Sequence, residues 1–256
     1  MELNRIYNED CLEGLRKIED KSIDMILCDL PYGTTANKWD SIIPLEPLWE
    51  QYERVIKDNG AIVLFSSSKF TNKLITSNEK LYRYKWIWIK NKTGNFVNAK
   101  NRPLTKYEEI CIFSKGITAN TKNTNKKMKY NPQGLKMQNK IKKNYDSKFG
   151  TMHGKRPSHK DTYISKFTNY PTDILTFNCV PKPIHPTQKP TELFEYLIKT
   201  YTNEGETVLD NCIGSGTTAI AAINTNRNYI GFELDEEYYN KSLERIKEHK
   251  KSIDTL

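Results

Sequence analysis

Short apolar runs rich in β-branched and aromatic residues recur along this chain, separated by stretches in which apolar residues return every three to four positions. The run at 23–28 (IDMILC) and the run at 61–65 (AIVLF) are apolar at consecutive positions, as strands buried on both faces must be. Similar runs predict strands near 4–7, 84–89, 109–113, 207–210 and 229–232. Helical spacing predicts helices near 10–18, 46–57, 68–76, 190–201, 216–224 and 235–249. Strand and helix in alternation leave few solutions other than an α/β fold with a doubly wound, mostly parallel sheet.

With 256 residues, 37% of them hydrophobic, the chain supports one such core and a substantial insertion. No apolar run approaches the length of a membrane-spanning helix, and the start MELNRIYNED has no signal-peptide pattern, so the expectation is a cytoplasmic protein. Cys11, Cys28, Cys111, Cys179 and Cys212 have no metal-knuckle or redox-pair spacing and read as reduced, mostly packing thiols; no metal site is expected.

The formal charge is +9, and it is unevenly spread. Residues 115–170 carry fourteen Lys and Arg against two Asp, so the remainder of the chain is slightly acidic. The wider stretch 115–180 is rich in Asn, Lys, Thr and Gly and lacks a clear period, which marks an insertion. Tyr130, Tyr145, Phe149, Tyr163 and Phe167 interleave with its lysines. Either this is a solvated loop of biased composition or a nucleic-acid-facing surface that offers phosphate-binding charge beside stacking rings. Composition does not separate the two.

Near the C-terminus, Thr207-Val208-Leu209-Asp210 reads as a strand, Asn211 to Gly216 as a turn and Thr217 onward as a helix. Gly214 and Gly216 allow a tight turn and close approach of backbone to a ligand, and Glu233, ending the next strand, is placed to accept ribose hydroxyls. The unit reads as a cradle for a nucleoside-containing cofactor. Gly214, Gly216 and Ala219 also satisfy a dinucleotide fingerprint, which keeps a dehydrogenase open, whereas a Walker loop lacks its lysine.

A second motif follows the first buried strand, which runs into Asp29-Leu30-Pro31-Tyr32-Gly33. Chain direction puts these residues at the strand's carboxyl end, the edge where open α/β sheets form their ligand crevice. Pro31 restricts Leu30 to extended backbone and so fixes the Leu30 carbonyl. A carboxylate and a fixed carbonyl can accept both hydrogens of an aromatic amine while Tyr32 stacks on its ring. Standing alone, the tetrapeptide would be an ordinary turn.

Together the two motifs resemble the amino-methyltransferases of DNA, in the permuted β group whose catalytic motif precedes its cofactor motif. Asp29 to Tyr32 is similar to that family's Asp-Pro-Pro-Tyr, and Asp210 to Thr218 is similar to its Asp-Pro-Phe-x-Gly-Ser-Gly-Thr loop. Between them, His185-Pro186-Thr187-Gln188-Lys189-Pro190 is similar to the segment that precedes the cofactor loop, and Asn8-Glu9-Asp10-Cys11 to the contact with the cofactor adenine. Residues 34–40 and 48–65 resemble phage and orphan bacterial members. The departures are Leu30 for a proline, Asn211 and Cys212 for Pro-Phe, and Glu108 where many relatives have histidine before the acid matching Glu109.

The resemblance implies a Rossmann-like, circularly permuted methyltransferase sheet with an inserted target-recognition region, using S-adenosylmethionine to methylate the exocyclic amine of a base flipped out of double-stranded DNA. The acidic first residue of the tetrapeptide favours adenine N6 over cytosine N4; a DNA-binding module with a vestigial cofactor site is the non-enzymatic alternative. Asp29, Leu30, Pro31 and Tyr32 are implied to be catalytic. Asp10, Cys11, Asp29, His185, Thr187, Lys189, Asp210, Gly214, Ser215, Gly216, Thr217 and Glu233 are implied to bind the cofactor. Lys126, Lys127, Lys129, Lys142, Lys143, Lys155 and Arg156 are the candidate DNA contacts. A bacterial or phage origin is expected, and a homodimer is left open.

Overall fold

The computed structural model describes residues 1–33, 42–119, 126–143 and 162–255. The chain divides into two compact units, residues 1–131 with 173–256, and residues 132–172. The second unit is narrower than the insertion expected at 115–180.

The larger unit is built on strands β1 (Arg5–Asn8), β2 (Ile23–Cys28), β3 (Ile56–Ser66), β4 (Tyr82–Gly94), β5 (Thr105–Phe113), β8 (Ile174–Thr176), β9 (Thr207–Asp210) and β10 (Asn228–Glu233). Its helices are α1 (Cys11–Arg16), α2 (Leu45–Val55), α3 (Ser68–Ser77), α4 (Thr191–Tyr201), α5 (Thr217–Asn224) and α6 (Glu236–Asp254). The strands form one sheet in the order β1-β10-β9-β2-β3-β5-β4-β8. Neighbours pair in parallel except at β5, which is antiparallel to both β3 and β4. The α/β, doubly wound, mostly parallel sheet expected from the alternation is therefore present.

Alternate residues of each strand face opposite sides, and both sides are covered. Met25, Leu27, Val63 and Phe65 pack with α4, α5 and α6 through Leu193, Phe194, Ile220 and Ile246. Ile26, Cys28, Ile62 and Leu64 pack with α1, α2 and α3 through Leu15, Trp49, Tyr52 and Phe70. Burial on both faces explains why these strands read as unbroken apolar runs.

Two boundaries differ from the sequence reading. The second helix stops at Val55, and β3 starts at Ile56, because Ile56 pairs with Ile23 before a register shift leads into the apolar run. Strands β4 and β5 extend beyond their apolar centres into polar segments, as a hairpin closed by Gly94 opposite Thr105. No helix among the described residues is long and apolar enough to cross a membrane.

Residues 132–172 contain β6 (Lys136–Lys143) and β7 (Thr162–Thr168), paired antiparallel with Met137 opposite Phe167 and Ile141 opposite Ile164. Sequence periodicity missed this hairpin because its strands are exposed on both faces, so no apolar alternation marks them.

Candidate functional site

Strand direction assembles the site. The segment after β2 brings Asp29 to the carboxyl edge, and β9, hydrogen-bonded to β2, brings Asn211 to Gly216 to the same edge. On the other side of β9, β10 ends at Glu233, and β1 ends at Asn8 opposite it. Asn8 Nδ2 donates to the carbonyls of Glu233 and Leu234, which ties the N-terminal segment to the end of β10.

The glycine loop is held from several sides. Gly214 and Gly216 lie at φ of +50° and +76°, where a side chain is strained. A Cβ on Gly216 would also stand 3.2 Å from the Ser242 Cβ of α6. Gly216 opens α5 without a side-chain cap. The Asp210 carboxylate is buried beneath the loop, accepting from the Thr218 hydroxyl and from the Cys212 N–H at 3.1 Å. Burial pushes its pKa up to about 7, against the pull of those donors. Arg245 of α6, which carried no motif signal, donates to the Ser215 carbonyl at 2.8 Å and to the Thr217 hydroxyl at 3.1 Å. The side chains of Asp210, Ser215 and Thr217 are thus occupied in holding the loop, and its backbone is what remains to meet a ligand.

Glu233 is shaped by the same loop. Its carboxylate accepts from Gly214 N–H at 2.8 Å and from Asp235 N–H at 2.9 Å, and burial raises its pKa in spite of these donors. Asp10 caps α1, accepting from Leu12 N–H at 2.9 Å. Cys11 is buried behind it, and the hydrogen bond to the Cys212 side chain, with burial second, holds its thiol far up in pKa. Burial likewise pushes Cys28 up to about 12. Three cysteines far apart in sequence therefore meet beneath the loop as protonated packing groups.

Asp29 is enclosed, and each of its oxygens has a partner. Oδ1 accepts from the Tyr32 hydroxyl at 2.8 Å, and Oδ2 accepts from the Lys189 ammonium. The Tyr32 ring stacks on Phe70 at 4.9 Å, while Leu30 is buried in the core. Lys189 also lies 3.4 Å from Glu108 Oε2 and 5.2 Å from the centre of the Phe65 ring. Glu108 accepts from Lys90 at 2.9 Å. Burial raises the Asp29 pKa more than Lys189 lowers it. Burial pushes Glu108 upward too, but its two ammonium neighbours outweigh that and hold it low. Lys189 rises to about 12, because the two carboxylates overcome the burial that disfavours its charge.

The His185 segment crosses from the end of β8 to this cluster. His185 Nδ1 accepts from Thr187 N–H at 3.3 Å, its ring meets Tyr238 edge-on at 4.3 Å, and Gly214 lies beside it. Burial and the neighbouring Lys189 charge lower its pKa to about 4, so the ring is neutral at physiological pH. Lys189, which the resemblance assigned to the cofactor, sits on the Asp29 carboxylate. Its partner Glu108, marked in the sequence only as a departure from the histidine of many relatives, is brought to Lys189 by the strand that pairs it with Trp88.

The candidate DNA contacts separate. Because β5 is antiparallel, the chain returns after Phe113 to the amino edge of the other strands, where Ser114 bonds the Gly60 carbonyl. Lys126 and Lys127 follow on that side, with Lys127 bridged to Ile117. Lys129 is spent there on Glu206 and on Asp24, 3.7 Å away. These three lysines therefore lie away from the edge that carries Asp29, a correction that strand direction alone supplies. Lys142 and the backbone of Lys143 lie on β6 of the second unit. Lys155, Arg156 and residues 34–40 fall outside the described residues. No group of three or more His, Cys, Asp or Glu that could hold a metal ion occurs among the described residues.

The family model described as DNA methylase, of the N6/N4 type, matches residues 23–244. The type II methyltransferase M.HpaI of Haemophilus parainfluenzae is 27% identical over 264 residues, covering 98% of this chain and 77% of its own. The DNA adenine methyltransferase YhdJ of Escherichia coli is 26% identical, covering 96% of this chain and 83% of its own. Among solved structures, M1.HpyAVI in complex with SAM superposes with a TM-score of 0.60 at 23% identity, covering 94% of this chain and 98% of its own. The cytosine-N4-specific PvuII DNA methyltransferase superposes with a TM-score of 0.65 at 16% identity, over 93% and 84%.

Proposed function

The chain belongs to the N6/N4 family of DNA methylases, and from that membership we propose that it transfers a methyl group from S-adenosylmethionine to the N6 amine of adenine in duplex DNA. The observation that carries this reading is the placement of Asp29-Leu30-Pro31-Tyr32 and the glycine loop on adjacent strands at one sheet edge. The acid that begins the tetrapeptide favours adenine, and a curated adenine methyltransferase is among the relatives.

The residues present fit the donor. The loop keeps side chains out at two positive-φ glycines, the helix behind it starts uncapped, and Glu233 retains lone pairs for ribose hydroxyls after accepting its two backbone bonds. Gly214, Gly216 and Glu233 would hold S-adenosylmethionine, with Asp10, Cys11 and Thr187 around it. When bound, it supplies an electrophilic methyl group.

The rest is done by the chain's own side chains. Asp29 accepts one amine hydrogen and the Leu30 carbonyl the other, which turns the nitrogen lone pair out of conjugation with the ring. Tyr32, backed by Phe70, offers a stacking surface, and its hydroxyl fixes the carboxylate it supports. Lys189 stands on Asp29 before a base arrives, so the incoming amine must share or displace that ammonium. Protonation keeps Cys11 and Cys28 poor nucleophiles toward the donor methyl group. Lys142 and Lys143 of the β6–β7 unit, with Lys155 and Arg156, are the proposed phosphate contacts of target recognition.

The test is single-turnover methylation of unmodified genomic DNA with labelled donor, followed by sequencing that distinguishes N6-methyladenine from N4-methylcytosine. Asp29→Ala should keep donor binding and lose turnover. A folded Asp29→Ala protein with wild-type turnover refutes the assignment, and N4-methylcytosine as the product refutes adenine.

A further inference from the structure

The β4–β5 hairpin does not stop at the sheet edge. Trp88 pairs with Glu108 at the level of the Lys189–Asp29 contact, and the ladder continues through Ile89 and Tyr107 to Gly94 opposite Thr105. Three further residues of β5 amount to about 10 Å beyond the layer of Asp29 and Glu108. The tip, residues 95–104, therefore projects outward from the edge that carries Asp29.

At this tip, apolar side chains stand in water. Phe96 is 75% exposed and Val97 96% exposed. They are presented by a stiff turn. Asn95 takes a left-handed φ of +67°, Asn98 Nδ2 donates to Asn95 Oδ1 at 2.7 Å, and the N–H groups of Asn98, Ala99 and Asn101 close successive short turns. Local hydrogen bonds, not burial, fix where Phe96 and Val97 point.

The surroundings are one-signed. From residue 90 to 107 the chain has Lys90, Lys92, Lys100, Arg102 and Lys106 and no acid. Lys90 is committed to Glu108, and the other four are exposed. This is a second basic region, which the concentration of charge at 115–170 hides in a whole-chain count. An apolar pair on a rigid projection, ringed by cations beside a base-modifying edge, matches the chemistry of a stacked polyanion. The rings of a duplex accept apolar groups between base steps while its phosphates accept the lysines.

We propose that Phe96 and Val97 form a wedge that enters the DNA duplex beside the target base and occupies the gap its extrusion leaves, with Lys92, Lys100, Arg102 and Lys106 seated on flanking phosphates. The inference rests on the methyltransferase reading above and adds to it the means of extrusion. Leaving the stack costs a few kcal/mol per step, and a base without a pairing partner has less to lose.

That difference supplies the experiment. The double variant Phe96→Ala/Val97→Ala and the conservative Phe96→Leu/Val97→Leu are compared with the wild type in single-turnover methylation at saturating donor. Two oligonucleotide duplexes carry the sequence mapped by methylation-aware sequencing, one with the target base paired and one with it opposite an abasic site. The alanine variant should lose about tenfold or more on the paired duplex, recover most of that loss on the abasic one, and melt at the wild-type temperature; the leucine variant should retain most of the rate. An equal loss on both duplexes means docking without wedging, and no loss on either means that the tip faces something other than DNA. Each outcome overturns the proposal. A wild type that methylates neither duplex refutes the methyltransferase reading itself, and the wedge with it.

Discussion

Replacing Lys189 with methionine tests the most unusual contact of the site, because it keeps the length and apolar stem of the side chain and removes only the charge. The ammonium lies 3.4 Å from Glu108 Oε2 and closer still to Asp29. At an effective dielectric of about 20, a pair at that separation is worth about 5 kcal/mol before desolvation, and breaking a buried pair typically costs about 3–5 kcal/mol net. The variant relieves that cost by taking up a proton. Glu108 keeps Lys90 at 2.9 Å, whereas Asp29 has the Tyr32 hydroxyl and, among the described residues, no second cation, so Asp29 takes the proton. Losing the ammonium removes the main influence that lowers the Asp29 pKa, so the acidic limb of the methylation rate should move to higher pH. Stability follows the same sign. A carboxyl whose folded pKa lies above its unfolded value contributes stability that is present at low pH and lost as pH rises through the folded value. Followed from about pH 5 to about pH 9, the melting-temperature gap between wild type and Lys189→Met should therefore widen as pH rises. Single-turnover methylation across that range, at saturating donor, gives the kinetic profile, and Lys189→Arg should restore it. An unshifted acidic limb in a folded Lys189→Met protein would refute the reasoning, since Asp29 would then owe nothing to this ammonium.

Two further outcomes follow from the glycine loop. Gly216→Val places a β-branched residue at φ +76° and its Cβ 3.2 Å from Ser242, so it should abolish donor binding by calorimetry and lower stability by about 2 kcal/mol or more; wild-type donor affinity would show that the loop tolerates what the geometry forbids. Asp210, raised from 3.8 to about 7, contributes stability that is complete below about pH 4 and lost as pH rises through about 7, so Asp210→Asn should flatten the fall in melting temperature across that interval, and an unchanged slope would remove Asp210 as its source.

What could be read from the residues was what short-range chemistry determines. IDMILC and AIVLF needed burial on both faces, and Asp29-Leu30-Pro31-Tyr32 and Gly214-Ser215-Gly216 carried their own backbone constraints. What could not be read was direction and reach. Nothing in EICIF states that it runs against its neighbours, yet that orientation sends Lys126, Lys127 and Lys129 to the far edge and Phe96 to the near one. Glu108 and Arg245 act through partners about 80 and 30 residues away, Lys189 and Ser215, and no local pattern encodes either pairing. The β6–β7 hairpin, with Ile141 75% exposed, lacks the alternation that would have announced it.

The strand order also fixes when this protein can exist during its own synthesis. Arg5 waits for Ile230, and Met25 for Val208, so the first two strands leave the ribosome about two hundred residues before the partners they need. Long-range pairing of this kind folds slowly and leaves nascent edges exposed. A chain interrupted before residue 207 would hold Asp29-Leu30-Pro31-Tyr32 on a strand with one flank bare, an edge open to aggregation and proteolysis. Nor would there be a half-built modifier acting on the genome, because the segment that completes the sheet is also the one proposed to cradle the donor.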